Sequence, residues 1–172
     1  ALTAGARPEH VPLSPAQQRM WFLNRFDPET TAYNLPMALR LSGEIDLDLL
    51  RAAIVDVIDR HEALRTVYPE TSDGPVQVVL PTSTVTTQID VVDADAVDLP
   101  DLVTDFTTRP FDVTASVPLR MRLFRLAPDE HVFAMVVHHV SADGFSIAPM
   151  TRDLLTAYVA HRGGERRRRG HR

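Results

Sequence analysis

The sequence predicts a mixed α+β fold, an α/β sandwich in which a largely antiparallel or mixed sheet is flanked by helices. Three observations carry this expectation. Met37, Leu39 and Leu41 alternate with Ala38 and Arg40, the period of a half-buried strand. Residues 132–137 form an unbroken apolar run, as in a strand buried on both faces. Leu47, Leu50, Ile54, Val57 and Ile58 recur at helical spacing.

In chain order, residues 1–12 read as a loose leader. Ser14 then offers an N-cap, Pro15 suits the first helical position and Gln17 completes a capping box. Ala16, Met20 and Leu23 fall on one stripe, so this helix should pack on the body until Pro28 ends it. After the strand around Leu39, Ser42-Gly43 turns the chain. Asp46 caps the next helix, whose apolar spacing extends to Leu64. Residues 65–68 and 76–80 flank Asp73-Gly74, a hairpin signal. Residues 85–91 suggest another strand, and residues 94–109 a helix interrupted or started at Pro100. Leu119, Met121 and Leu123 alternate with Arg120 and Arg122, which predicts a strand with one wet face. Pro128-Asp129 turns into the apolar run, which ends at His138-His139. From Ser146, the positions Ile147, Met150, Leu154 and Tyr158 return to helical spacing. There is no internal repeat and no interior linker. One domain, or one lobe of something larger, is expected.

The chain has 172 residues, 44% apolar and 24% charged, with a formal net charge of −5. This is an ordinary globular profile with enough chain for a core. No run approaches the length of a membrane span, and the first residues lack the apolar region of a signal peptide. Cysteine is absent, which removes disulfides, thiolate metal sites and a cysteine nucleophile and fits a cytoplasmic protein. All 18 basic residues are arginine. Six of them lie in residues 162–172, so the rest of the chain is acidic, which argues against nucleic-acid binding. The run Arg166-Arg167-Arg168-Arg169 reads as part of a disordered tail over residues 163–172.

The strongest chemical signal is His138-His139-Val140-Ser141-Ala142-Asp143-Gly144, where the apolar strand stops and a helix begins. Loops at strand ends often carry function. Adjacent histidines in extended backbone point to opposite sides, so one should face inward and the other a cavity. Gly144 permits a backbone conformation or a close approach that a side chain would block. Other readings are open at this point. The pair could be core histidines beside a turn. Two histidines and Asp143 could hold a non-haem metal, although their opposed directions and the missing third histidine weigh against it. Ser141 and Ser146 lack the Gly-x-Ser-x-Gly elbow of a serine hydrolase. A second signal is Arg60-His61-Glu62-Ala63-Leu64-Arg65, which by itself is a helix end with cations near its negative pole. A third is Ser14-Pro15-Ala16-Gln17-Gln18-Arg19-Met20-Trp21-Phe22-Leu23, followed by Tyr33-Asn34-Leu35-Pro36.

Together, in this order and spacing, these segments resemble the condensation domains of nonribosomal peptide synthetases. The resemblance covers about residues 11–162. Residues 13–23 look like the family's opening segment, residues 60–65 match its Arg-His-Glu-x-Leu-Arg segment, and residues 138–144 match its His-His-x-x-x-Asp-Gly segment. Tyr33-Asn34-Leu35-Pro36 looks like the subtype that joins an L-configured donor to an L-configured acceptor. Phe145 departs from the family's frequent tryptophan, and the sequence from Glu165 onward stops looking like the family.

The resemblance implies a lobe of chloramphenicol-acetyltransferase-like fold over residues 13–162, with the second, C-terminal lobe absent. It implies an active-site tunnel between lobes, so this piece alone is expected to be inactive. Donor and acceptor carrier domains would be the partners, and phosphopantetheine arms would carry the substrates, with no cofactor or metal bound by this chain. His139 would be the cavity-facing catalytic histidine and His138 structural. Asp143 would pair with an arginine of residues 60–65, with Arg60 and Arg65 both candidates. Gly144 would keep the tunnel wall open and could offer its N–H to the oxyanion. Two other functions share parts of this pattern. One is a coenzyme A-dependent acyltransferase using His-x-x-x-Asp-Gly. The other is a non-catalytic carrier-docking module.

Overall fold

A computed structural model describes residue 8, residues 11–86 and residues 89–169, with side chains described as far as Gly164. In chain order the elements are β1 (Val11–Pro12), α1 (Pro15–Phe26), β2 (Asn34–Ser42), α2 (Leu47–Arg60), β3 (Thr66–Val67), β4 (Glu70–Thr71), β5 (Gly74–Val79), β6 (Asp90–Asp93), α3 (Leu99–Thr107), β7 (Leu119–Ala127), β8 (Glu130–His138) and α4 (Gly144–Arg169). Three-residue-per-turn helices span Glu62–Arg65 and Thr82–Thr84.

The main sheet has the order β2-β8-β7-β6, antiparallel except for the parallel β6–β7 pair. A smaller sheet joins β1, β5 and β3, with β4 also on β5. The apolar run is therefore the inner strand β8, covered on both faces. Phe133, Met135 and Val137 meet Ala53, Ile54, Val57 and Ile58 of α2 and Met150 and Leu154 of α4. Val132, Ala134 and Val136 face the other way, toward Phe106 of α3, Phe111, Val113, Phe124 and Tyr68. Burying an aromatic such as Phe124 or Phe133 contributes about 1.5–3 kcal/mol of transfer free energy. The result is a mixed α/β sandwich, as expected. No helix among the described residues is long and apolar enough to cross a membrane.

Local signals behave as the residues require. Ser14 Oγ accepts the Gln17 N–H at 3.2 Å and Gln17 Oε1 accepts the Ser14 N–H at 2.9 Å, closing the capping box. Asp46 Oδ1 accepts the N–H groups of Asp48 and Leu49. Gly43 and Gly74 adopt φ of 101° and 107°, the left-handed turn conformation that favours glycine.

Several expectations are corrected. The leader ends early, because Val11 and Pro12 pair with Gln77 and Val76 of β5 and Leu13 is buried; residues 1–7 and 9–10 lie outside the described residues. On α1, Ala16 is exposed, and the packed face is Met20, Trp21 and Asn24. The helix docks by polar handles: Trp21 Nε1 donates to the Tyr68 carbonyl and Asn24 Nδ2 to the Phe111 carbonyl, both at 2.8 Å. The strand expected at residues 85–91 sits at Asp90–Asp93 instead. Val85 and Ile89 are buried apolar residues without strand pairing, and residues 87–88 lie outside the described residues. The helix expected over residues 94–109 shortens to α3, because Asp95 folds back to accept the N–H groups of Val97 and Asp98. Arg120 and Arg122 are not on a wet face. Their guanidinium groups lie 3.9 Å and 4.8 Å from the ring centres of Phe111 and Phe106. Long arginine stems and aromatic faces cover one another, so charge alternation alone misjudges exposure. Finally, α4 continues through Gly163-Gly164 to Arg169, where a disordered tail is expected; arginine is a good helix former.

Candidate active site

The histidine pair sits where β8 runs out. The His138 N–H donates to the Pro118 carbonyl at 3.0 Å and the His139 N–H to the Tyr33 carbonyl at 2.8 Å. The ladder thus reaches first toward β7 and then toward β2. Strand alternation sends the two side chains to opposite sides, as the sequence predicts. His138 is 1% exposed, whereas His139 is exposed and its ring makes no hydrogen bond among the described residues.

His138 is held as a neutral ring. Its Nδ1 accepts the Val140 N–H at 3.1 Å, so the proton resides on Nε2, which is buried without a hydrogen-bond partner among the described residues. Phe111 stands edge-on at 5.9 Å between ring centres, and Tyr33 lies at 6.4 Å. Burial, followed by the positive charge of His139 and Arg120, pushes its pKa down to about 4.

The loop beyond is anchored from below. Val140 is buried, and the Tyr68 hydroxyl lies 3.0 Å from Ser141 Oγ. Burial raises the Tyr68 pKa, so its phenol stays protonated as a hydrogen-bonding group. Tyr68 is a site residue that sequence reasoning missed. The available signal is that a tyrosine directly after a short strand, once buried, needs a polar partner for its hydroxyl.

Asp143 caps α4. Its Oδ1 accepts the Ser146 hydroxyl at 2.6 Å and the Ser146 N–H at 2.9 Å. These bonds, the hydroxyl first, hold its carboxyl below the usual carboxylate range. The expected ion pair with Arg60 or Arg65 is not formed. The Arg60 Nε lies 3.3 Å from Asp153 Oδ2, which also lies 2.9 Å from His61 Nε2. Arg65 turns inward and donates to the carbonyls of Leu80 at 2.7 Å and Ile58 at 3.2 Å. Capping needs the carboxylate turned back onto its own helix, which points it away from both arginines. Replacing Asp143 by alanine is therefore expected to lower the thermal midpoint slightly, as for a lost helix cap. A large drop, as when a buried ion pair is broken, would contradict this geometry. Thermal denaturation followed by circular dichroism distinguishes the two.

Gly144 opens α4 without a positive φ, and a Cβ built on it meets nothing within 4 Å. Neither backbone conformation nor a close approach within this chain demands glycine there. The segment at residues 60–65 and the histidine segment at residues 138–144 do converge. His61, Ala63, Leu64, Ser141, Asp143 and Phe145 border a groove of about 460 Å³ beside the start of α4. Phe145, 90% exposed, stands at its rim. The opening segment reaches the site indirectly, through Trp21 and Tyr68.

Comparison with known proteins agrees in sequence and in fold. A family model described as the condensation domain matches residues 7–170. An isonitrile lipopeptide synthase of Mycobacterium tuberculosis is 43% identical over 166 residues, 95% of this chain and 7% of the relative. A dimodular nonribosomal peptide synthase of Bacillus subtilis is 42% identical over 160 residues, 93% of this chain and 7% of the relative. The X-domain from teicoplanin biosynthesis, solved alone and in complex with OxyB, superposes with a TM-score of 0.88 at 40% identity, covering 95% of this chain and 35% of that one. The starter condensation domain of rhizomide synthetase gives 0.83 at 23% identity, covering 91% and 39%, a likeness of fold. The chain thus spans a small part of those synthetases and little more than a third of the solved domains.

Proposed function

The chain belongs to the condensation-domain family, and on that premise we propose that it is the histidine-bearing half of an amide-forming active site. The observation that carries the reading is the split fate of the histidine pair. His138 is sealed into the sheet, and His139 is exposed at the strand's end with its ring uncommitted.

The chemistry is aminolysis. The amine of an acceptor aminoacyl thioester adds to the carbonyl carbon of a donor thioester. The carbon–sulfur bond then breaks, the thiol leaves and the proton lost by the amine balances the thiolate. Both substrates ride on phosphopantetheine arms of carrier domains, and this chain binds no cofactor of its own. The exposed His139 imidazole, whose ring makes no hydrogen bond among the described residues, is placed to accept or orient the amine proton, the work for which histidine is most often used in general acid–base catalysis. His138 holds the loop. Gly144, with open space around it, leaves room for the reacting groups and an N–H for the oxyanion. The exposed Phe145 belongs to the wall that the remainder of the domain would complete. Tyr33-Asn34-Leu35-Pro36 supports the L-to-L subtype. The lobe alone is inactive in this reading, because half of the tunnel is supplied elsewhere.

The direct test joins residues 8–169 to the C-terminal half of a related domain and supplies loaded donor and acceptor carriers. Amide product is expected from the joined protein and not from the lobe alone. Failure of a folded, carrier-binding hybrid to form product would overturn the reading. A second reading is favoured by the 40% identity to the X-domain, which was solved in complex with OxyB. In it this surface docks another biosynthetic protein without forming bonds. Product formation that depends on His139 would exclude docking as the sole role.

A further inference from the structure

We propose that Asn34 is a positioning residue for the His139 imidazole, acting by pinning the start of β2 against which the histidine loop is registered. The proposal rests on the reading of His139 as the reacting-site histidine.

The side chain of Asn34 spends both N–H donors on one clamp. Nδ2 donates to the carbonyls of Thr107 and Arg109, each at 2.9 Å. Its backbone N–H donates to Thr31 at 3.1 Å. The first residue of β2 is thus tied to the segment that leaves α3. Directly across the ladder from Asn34 stands His138. The residue just before it, Tyr33, receives the His139 N–H at 2.8 Å. His139 lies one step beyond the last ladder pair, so the Tyr33 carbonyl is what holds its backbone toward β2. Fixing Asn34 fixes that carbonyl.

The same clamp meets the other histidine. Residues 109–111 also receive Arg120, which donates to the Pro110 carbonyl at 2.7 Å, and Asn24, which donates to the Phe111 carbonyl. The Phe111 ring then packs edge-on to His138. One asparagine therefore coordinates the strand that seats His139 with the segment that seats His138.

Stability alone is a poor account of this residue. Asparagine is depleted in strands. Its Oδ1 is buried without a hydrogen-bond partner among the described residues, an arrangement that costs stability. Precision is the better account, because a shift of about 1 Å at a reacting group can cost about a hundredfold in rate.

The test compares Asn34→Ala with Asn24→Ala in the complete domain with loaded carriers. Asn24 ties α1 to the same segment without touching β2. Asn34→Ala is expected to lower kcat about tenfold to a hundredfold with KM for both carriers unchanged, and to speed amide exchange at His139 more than within β8. Asn24→Ala is expected to keep most of kcat at a similar loss of thermal stability. Asn34→Ser, which keeps one donor, should fall between wild type and Asn34→Ala, and it serves as the readout should Asn34→Ala not fold. Equal loss of kcat per degree of melting in the Asn34 and Asn24 variants, or unchanged exchange at His139, overturns the proposal. A parallel His139→Ala arm separates the two claims. If that variant is inactive, failure falls on Asn34 alone; if it is active, the reading of the site fails and this proposal with it.

Discussion

Replacing His139 by alanine in the complete domain is expected to cut amide formation by about 10²–10⁴-fold, the range in which a positioned proton-transfer group contributes. The fold should survive. The His139 side chain is exposed and makes no hydrogen bond among the described residues, while the contact that holds this residue to β2 is its backbone N–H on Tyr33. Alanine keeps that N–H. The thermal midpoint should therefore stay within a degree or two of the parent, by the usual small effect of surface substitutions. Single-turnover assays with loaded carriers measure the first expectation and calorimetry the second. Full activity in a folded His139→Ala protein would refute the assigned role. A companion variant separates two ways in which the ring could act. His139→Asn keeps hydrogen bonding but cannot accept a proton near neutral pH. If orientation of the amine dominates, asparagine should recover part of the rate; if proton acceptance dominates, it should be as poor as alanine. Alignment of two bound reactants can supply about 7–11 kcal/mol, so a partial rescue has a physical basis.

What the sequence reveals about this site follows period and side-chain direction. The opposed facing of His138 and His139 follows from strand alternation, and the buried β8 from an apolar run bounded by turn residues. Sequence reasoning goes astray where a side chain's partner is chosen by competition in space. Asp143 illustrates this. The family resemblance implies an ion pair with Arg60 or Arg65, yet Asp143-Gly144-Phe145-Ser146 at the head of an apolar helix is also a capping pattern. The local bonds prevail because they need no ordering of a distant side chain. Arg120 and Arg122 illustrate the opposite case. Their alternation with apolar residues is the correct strand signal, but what covers their face is Phe111, nine residues before Arg120, and Phe106, sixteen before Arg122, and nothing local announces it. Asn34 likewise appears in the sequence as one letter of a subtype pattern; its clamp on Thr107 and Arg109 exists only once α3 is docked.

His138 carries the second large effect, and it is one of stability with pH. In the unfolded chain this imidazole titrates near its ordinary value of about 6.5, whereas in the fold its pKa is pushed down to about 4. Above pH 6.5 the ring is neutral in both states and contributes no slope. Between about 6.5 and 4 the unfolded chain binds a proton that the folded chain refuses, so stability falls as the pH falls. Below about 4 the folded ring also takes the proton, the difference stops growing, and Nδ1 can no longer accept the Val140 N–H. Each pKa unit corresponds to 1.36 kcal/mol, so the loss across the window is on the order of 3 kcal/mol. Arg120 and His139 add like charge against the protonated ring, while Asn34 across the ladder offers no carboxylate to offset it. Urea denaturation at a series of pH values should show this decline, and His138→Asn, which cannot titrate, should flatten it while lowering stability at pH 8. A His138→Asn protein with the parent's slope between pH 6.5 and 4 would show that other groups cause it. The same measurement bears on function, because protonating His138 would release Val140 and loosen the loop beneath His139. Activity should then fall near pH 4 with the loss of the loop's anchor.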